Sequence, residues 1–204
     1  MKAITFSVIL TLISFTAFSQ FNMSQLGHLP YSEELSDVWG YVDETGKEYA
    51  LVGVFNGLSI VDVSDPANPV EIYFAPGLPS IWRDIKTWGD YAYVSNESGD
   101  GIFIVDLGPL PGGDITSTAS FTGSTYDFQT VHNLYIDEFG KLFIFGANNG
   151  SGGAIICDLT QDPMNPVELG RFNDFYLHDG MARGDTLWGA GLYQGVLAAI
   201  DVSD

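Results

Sequence analysis

Ionisable side chains recur at matching positions of this chain, in the dipeptides Arg83-Asp84, His132-Asn133 and His178-Asp179. Imidazole and carboxylate groups can bind a metal ion or a polar ligand when the fold brings them together. The candidates for a divalent-cation site are His132, His178, Asp84 and Asp179. The alternative is a structural network, in which each His or Arg bonds a neighbouring Asp and ties adjacent repeats together. The sequence contains no His-x-His or His-Glu-x-x-His spacing that would favour a preformed transition-metal site.

Polar, irregular loops follow the second strand of each predicted repeat, and they contain Asn96, Glu97 and Tyr193. Strand connectivity places these loops on the same face as the start of each first strand, a face where such folds commonly bind ligands. Trp82 is expected to line this face, where a carbohydrate or peptide could stack on it. The ligand-binding candidates are therefore Trp82, Arg83, Asp84, Asn96, Glu97, His132, Asn133, His178, Asp179 and Tyr193.

The sequence contains no recognised catalytic pattern. It has no Gly-x-Ser-x-Gly motif, no P-loop and no dinucleotide fingerprint. The acidic loop around Asn96, Glu97 and Asp100 lacks the Asp-x-Asp-x-Asp-Gly order of a calcium loop. The single cysteine, Cys157, lies in an apolar stretch, which excludes an intrachain disulfide and indicates a small core residue. We therefore assign no catalytic residue from the sequence.

An apolar phrase that ends in aspartate occurs four times and determines the architecture. The phrase around Asp62 returns around Asp106, Asp158 and Asp201, at spacings of 44, 52 and 43 residues. Recurrence at such spacings indicates a repeated structural unit. Because each copy precedes a turn, we expect these carboxylates to accept backbone N–H bonds in Asx turns rather than to bind cations. The segments 65–69 and 162–166, which begin with Asp-Pro, indicate turns of the same chemistry.

Each repeat contains short runs rich in Val, Ile, Phe and Tyr, separated by Gly, Asp, Asn and Pro. Four such strands in a unit of about 43–52 residues are typical of a β-propeller blade. We therefore predict an all-β fold, a β-propeller built of four-stranded antiparallel blades, with three full blades and most of a fourth. The blades are expected at about 36–76, 80–123, 130–173 and 176–204. The first strands are expected at 37–43, 82–88, 132–138 and 178–182.

The fourth unit stops at Asp204, before the outer strand that follows in the other three units. Propellers close with typically four to eight blades, so we expect the chain to be the N-terminal part of a longer protein. In the N-terminal segment 20–35, residues 21–29 resemble an outer strand. Such a strand would close the ring of a complete propeller, or it would complete the fourth blade here.

The chain begins with the pattern of a secretory signal peptide. Lys2 precedes an uncharged apolar run that ends at the small residues Ala17 and Ser19, which predicts cleavage after Ser19 and a secreted or cell-surface protein. The 26 acidic and 7 basic residues give a net charge of −19. This charge argues against nucleic acid and anionic membranes as partners, and it favours solubility and divalent cations. No membrane insertion is expected after signal cleavage.

Several long phrases of the chain are distinctive: IVDVSDPANPV, WRDIKTWGDYAYVSNESGDGIFIVDL (82–107), TVHNLYIDE (130–138) and YLHDGMARGDTLWGAGLYQGVLAAIDVSD (176–204). Through these phrases the chain resembles the LVIVD-repeat propellers, and more closely the secreted "choice-of-anchor B" family. The resemblance implies a secreted or surface-displayed propeller followed by a C-terminal anchoring or sorting domain. It implies a fold and a location, but no reaction.

Three functions fit these features. The first is a non-catalytic extracellular binding or interaction module, which presents its polar face to a protein, glycan or peptide. The second is a metal-assisted hydrolase or lyase, in which a cation bound by the His/Asp cluster activates water. The third is a spacer that supports another domain.

Overall fold

The computed structural model describes residues 23–203, which form fifteen β-strands in four antiparallel sheets. Sheet 1 contains β1 (Leu35–Val42), β2 (Glu48–Val54), β3 (Gly57–Asp62) and β4 (Val70–Pro76). Sheet 2 contains β5 (Ile85–Trp88), β6 (Tyr91–Val94), β7 (Ile102–Asp106) and β8 (Thr118–Phe121). Sheet 3 contains β9 (Asn133–Ile136), β10 (Lys141–Phe145), β11 (Ala154–Asp158) and β12 (Val167–Phe172). Sheet 4 contains β13 (Asp179–Arg183), β14 (Thr186–Gly191) and β15 (Val196–Asp201).

This architecture confirms the all-β prediction, with sheets of four, four, four and three strands that pair in chain order. Residues 23–203 contain no helix, and hence none that could span a membrane. The predicted signal peptide, residues 1–19, lies outside the described residues. One strand boundary differs clearly from the prediction, because β5 begins at Ile85 rather than at Trp82. Trp82 lies instead in a turn, where the Ser80 hydroxyl bonds both its N–H and its carbonyl oxygen.

The core lies between consecutive sheets, where alternating residues of each strand point toward the neighbouring sheet. Leu51 and Ile60 of sheet 1 pack against Ile85 and Val105 of sheet 2, and all four are fully buried. Sheets 2 and 3 enclose a second cluster, in which Cys157 is buried as predicted. Burial raises the pKa of the Cys157 thiol, so this group is inert. A third cluster fills the space between sheets 3 and 4.

The first strands of neighbouring sheets lie side by side. β1 contacts β5, β5 contacts β9, and β9 contacts β13. The sheets therefore follow one another in chain order with their first strands on one side, which is the arrangement of consecutive propeller blades. This arrangement brings the residues at the start of each first strand close together.

The four repeated aspartates have the structural role that the sequence predicts. Each carboxylate accepts a hydrogen bond from the backbone N–H two residues later, at 2.8–3.1 Å, in the pairs Asp62–Ser64, Asp106–Gly108, Asp158–Thr160 and Asp201–Ser203. Asp65 and Asp162 accept the same bond from Ala67 and Met164. These side chains stabilise the turns after the third strands.

Residues 23–29 form no strand and do not pair with sheet 4. The segment lies against sheet 1, where Leu29 and Tyr31 pack over Val52, Val54 and Val61. The Tyr31 hydroxyl lies 2.9 Å from the Ser59 hydroxyl on this face of the sheet. These residues cover part of the face of sheet 1 that points away from sheet 2.

Candidate functional site

A cleft of about 480 Å³ opens where the first strands of the four sheets begin. Its wall combines residues at the start of each first strand with residues of the adjoining loops. The lining residues are Ser36, Asp37, Trp82, Arg83, Asp84, Glu97, His132, Asn133, Tyr176, His178, Leu192 and Tyr193. The volume lies in the range of small-molecule binding sites.

Most of the residues that the sequence singles out meet in this cleft. Eight of the ten ligand-binding candidates line it; the other two are Asn96 and Asp179. Asn96 is buried, and its Oδ1 accepts the Ser98 N–H at 2.8 Å within its own loop. Asp179 is exposed, and its Oδ1 accepts the N–H of Gly180 at 2.6 Å.

Four lining residues are absent from the prediction: Ser36, Asp37, Tyr176 and Leu192. Ser36-Asp37 could have been found, because it occupies in sheet 1 the position of Arg83-Asp84 in sheet 2. Tyr176 lies in the connection before β13, whose path the repeat does not determine. Leu192 directly precedes the predicted Tyr193 in the loop after β14, so its position on this face follows from the same reasoning. Burial raises the pKa of Tyr176, and the neighbouring Tyr193 and Glu97 add to this effect.

The two cleft histidines contact each other directly. Their Nε2 atoms are 2.8 Å apart, and the rings of His132 and His178 meet at 60° with centroids 4.1 Å apart. The Nδ1 atom of His132 makes a short contact with Oε1 of Glu97. Glu97 therefore fixes the orientation of the His132 ring, and the pair presents two imidazole nitrogens at one point of the cleft.

Asp84 has a structural role at the floor of the cleft. Its Oδ1 pairs with Lys86 Nζ at 2.5 Å, and its Oδ2 accepts the backbone N–H of Leu134 in sheet 3 at 2.8 Å. Asp37 makes the equivalent bond to Ile85 of sheet 2, also at 2.8 Å. Burial raises the pKa of Asp84, and the ammonium group of Lys86 opposes this shift. The carboxylates thus link successive sheets through backbone N–H groups rather than through His or Arg side chains.

The four predicted cation ligands do not form one cluster. His132 and His178 meet, but Asp84 is engaged with Lys86 and Leu134, and Asp179 lies outside the cleft lining. Among residues 23–203, no group of three or more His, Cys, Asp and Glu side chains has the arrangement of a metal site. Any cation at the histidine pair would therefore take its remaining ligands from water or from a bound molecule.

Arg83 contributes packing rather than a free positive charge. The residue is 7% exposed, and its guanidinium donates to the carbonyl oxygens of Val54 at 2.9 Å and Leu78 at 2.5 Å. Desolvation lowers the pKa of Arg83 from its ordinary value. The side chain holds the turn after β2 against the connection that leads to β5.

Two strongly exposed aromatic residues line the cleft beside its polar groups. Trp82 is 55% exposed, and its ring lies 6.3 Å from that of His132. Tyr193 is 76% exposed and contacts Tyr176, with ring centroids 5.0 Å apart and the rings tilted by 45°. Large exposed aromatic faces beside carboxylate, amide and imidazole groups can hold a ligand with one apolar face and several hydroxyl groups.

The blade-like sheets and the repeated turns define a β-repeat protein. The LVIVD repeat matches the chain twice, at residues 46–73 and 82–108, and this repeat is typical of β-propeller-like proteins. The two matches fall on β2 to β4 of sheet 1 and on β5 to β7 of sheet 2. No curated protein matches the chain.

Proposed function

We propose that this protein is a secreted or cell-surface β-propeller that acts as a non-catalytic binding module, with a saccharide bound in the cleft. The observation that carries this proposal is the presence of two exposed aromatic residues, Trp82 and Tyr193, in the lining of one polar cleft. A pyranose ring has apolar faces that stack on aromatic rings and a rim of hydroxyl groups that need hydrogen-bond partners.

The polar groups of the cleft suit such hydroxyl groups. Glu97 and Asp37 supply carboxylate acceptors, and Asn133 supplies an amide that both donates and accepts. Since the protein carries a net charge of −19, acidic saccharides are disfavoured and neutral or basic ones are favoured.

The shape of the site favours a small ligand over a folded protein. A stable protein interface buries about 800 Å² on each partner across a broad surface. The cleft is a concave space of about 480 Å³, which matches a ligand of one to a few sugar units. A peptide of similar size is the competing occupant, and its binding in place of a saccharide would overturn the saccharide assignment.

The propeller fold, export from the cell and attachment to its surface are parts of the same proposal. Two LVIVD repeats and four successive sheets support a propeller, in which each blade packs against its neighbours in chain order. The phrases that resemble the choice-of-anchor B family and the N-terminal signal pattern support export, with attachment through an anchoring or sorting domain in the full-length protein.

The proposal is tested by a glycan-array screen followed by calorimetric titration of the best neutral oligosaccharide. We expect Trp82→Ala and Tyr193→Ala each to weaken binding by about 5- to 100-fold, because each stacking face contributes about 1–3 kcal/mol. Trp188→Ala is the matched control, since Trp188 is also exposed but lies on sheet 4 outside the cleft. Equal loss in the control, or a screen without a neutral or basic glycan hit, would contradict the proposal.

A second candidate is a metal-assisted hydrolase or lyase, favoured by the contact between His132 and His178. In this reading a cation at the pair activates water for attack on the ligand. Zinc-dependent hydrolysis of chromogenic esters or glycosides that His178→Ala abolishes would support it. A zinc-loaded protein that binds its saccharide without hydrolysing it would contradict it.

A further inference from the structure

We propose that His132 and His178 bind one divalent transition-metal ion of the zinc and copper class through their Nε2 atoms, with Glu97 as the group that orients His132. This inference rests on the geometry of the histidine pair and on the contact between His132 and Glu97. It does not depend on which ligand the cleft binds.

The spacing of the two nitrogens is close to that of a pair of metal ligands. Metal–nitrogen bonds of 2.0–2.1 Å place two imidazole nitrogens about 2.9 Å apart at a right angle and about 3.3 Å apart at the tetrahedral angle. The observed separation of 2.8 Å is that of an N–H···N hydrogen bond between the two rings. A bound ion would displace this proton and widen the separation by about 0.1–0.5 Å. Small rotations of the two side chains, both of which are partly buried at the cleft wall, supply this change.

Glu97 occupies the position of an outer-shell partner. In histidine metal sites, the ring nitrogen that does not bind the metal commonly donates its N–H to a carboxylate, which fixes the ring and strengthens the ligand. His132 makes this contact through Nδ1, which leaves Nε2 directed at His178. The carboxylate also adds negative charge beside the cation.

The chemistry of the ligands selects the metal. Imidazole suits zinc, copper and nickel, whereas magnesium and calcium require a shell of oxygen ligands. Since no third His, Cys, Asp or Glu completes a metal cluster within residues 23–203, water or a cleft ligand would fill the remaining positions. The proposed site is therefore open to the cleft, and we expect micromolar rather than nanomolar affinity.

The test is a calorimetric titration of the purified chain with Zn²⁺ alone, with Ca²⁺ and Mg²⁺ as comparison ions. We expect one Zn²⁺ per chain, little effect of excess Ca²⁺ or Mg²⁺, and tighter binding of Cu²⁺. His132→Ala and His178→Ala should each weaken binding by at least about 10-fold, and Glu97→Gln by about 10- to 100-fold.

His28→Ala is the matched control, because His28 is the third histidine of the chain and is exposed outside the cleft. The affinity of this variant should equal that of the wild type. Histidine ring signals in the NMR spectrum of the wild-type protein give a measurement that needs no variant. The signals of two histidines should shift together up to one equivalent of Zn²⁺, while the third stays fixed.

Two results would overturn the proposal. One is the absence of saturable Zn²⁺ binding at Zn²⁺ concentrations up to about 1 mM, which is far above the micromolar dissociation constant expected for two imidazole ligands. The other is stoichiometric binding that survives substitution of both cleft histidines, or that shifts the His28 ring signals instead. If the wild-type protein binds Zn²⁺ as expected but binds no saccharide, the proposed function is contradicted and the metal site is not.

Discussion

Oδ2 of Asp84 accepts the backbone N–H of Leu134 at 2.8 Å, across the boundary between sheets 2 and 3. Asp37 repeats this bond to Ile85 across the boundary between sheets 1 and 2. Asp37 and Asp84, near the start of the first strands of sheets 1 and 2, therefore each join their sheet to the next. The same residues form the wall of the cleft, so the geometry of the site depends on the links that hold the sheets together.

Removal of the Asp84 carboxylate should destabilise the fold. Asp84→Ala removes the carboxylate that accepts from the Leu134 N–H and the Lys86 ammonium, which keep only Asn133 Oδ1 and the Ile85 carbonyl oxygen as acceptors. We expect the free energy of unfolding to fall by about 1–3 kcal/mol. Asp179→Ala is the control, because Asp179 has the equivalent position in sheet 4 but is exposed. Its effect should be within about 0.5 kcal/mol. Urea denaturation measures both, and equal effects would contradict an inter-sheet role for Asp84.

The buried guanidinium of Arg83 should also be important for stability. Arg83→Met leaves the carbonyl oxygens of Val54 and Leu78 without a donor, which we expect to cost about 2–4 kcal/mol. Arg83→Lys should rescue only part of this loss, since a single ammonium group cannot reproduce the several coplanar N–H donors of the guanidinium group. Arg183→Met, at an exposed position of β13, should change the urea midpoint little. If Arg83→Met leaves the free energy of unfolding unchanged, the packing role is contradicted.

Stability should fall in acid through Asp43. Burial alone would raise the pKa of Asp43, but hydrogen bonds from Thr45, Lys47 and Tyr49 outweigh it and lower this pKa to about 2. The unfolded chain then binds a proton more readily than the folded one, so this stabilisation is complete above pH 5 and is lost as the pH falls toward 2. Asp43→Asn should flatten the dependence of the unfolding free energy on pH across this window. An unchanged pH profile would contradict the assignment.

The repeated aspartates should tolerate asparagine but not alanine. The Oδ1 atom of Asp158 accepts the Thr160 N–H at 2.8 Å, and an asparagine carbonyl oxygen can accept the same bond. We expect Asp158→Ala to cost about 0.5–1.5 kcal/mol and Asp158→Asn to cost less. Thermal unfolding measures the difference. A larger loss in the asparagine variant would indicate that the negative charge itself is required.

The repeat predicts the strands well, because a period-two apolar pattern that recurs in phase leaves little freedom in strand placement. It also predicts the face of the site, since Arg83, His132 and His178 occupy matching positions in the units. The path of the connections is not encoded in this pattern. Tyr176 reaches the cleft through such a connection, the one between β12 and β13.

Side-chain partners in the cleft depend on relations between sheets that the sequence does not display. Glu97 looks like part of a loose acidic loop, yet the fold brings it to His132. Asp84 looks like a cation ligand, yet the backbone N–H of Leu134 engages it. Residues 21–29 resemble an outer strand, but 23–29 lie against sheet 1, because the apolar face around Val52 and Val61 attracts Leu29 and Tyr31.

The most direct test of the central claim is NMR mapping of the labelled protein during titration with the neutral oligosaccharide from the array screen. The chain has four tryptophans, and only Trp82 lines the cleft. If the saccharide binds in the cleft, the Trp82 indole signal and the backbone signals of His132 and Tyr193 should shift saturably, while the turn amides of Ser64 and Thr160 should not. Shifts confined to those turns, or to Trp188 on sheet 4, would contradict a binding site in the cleft.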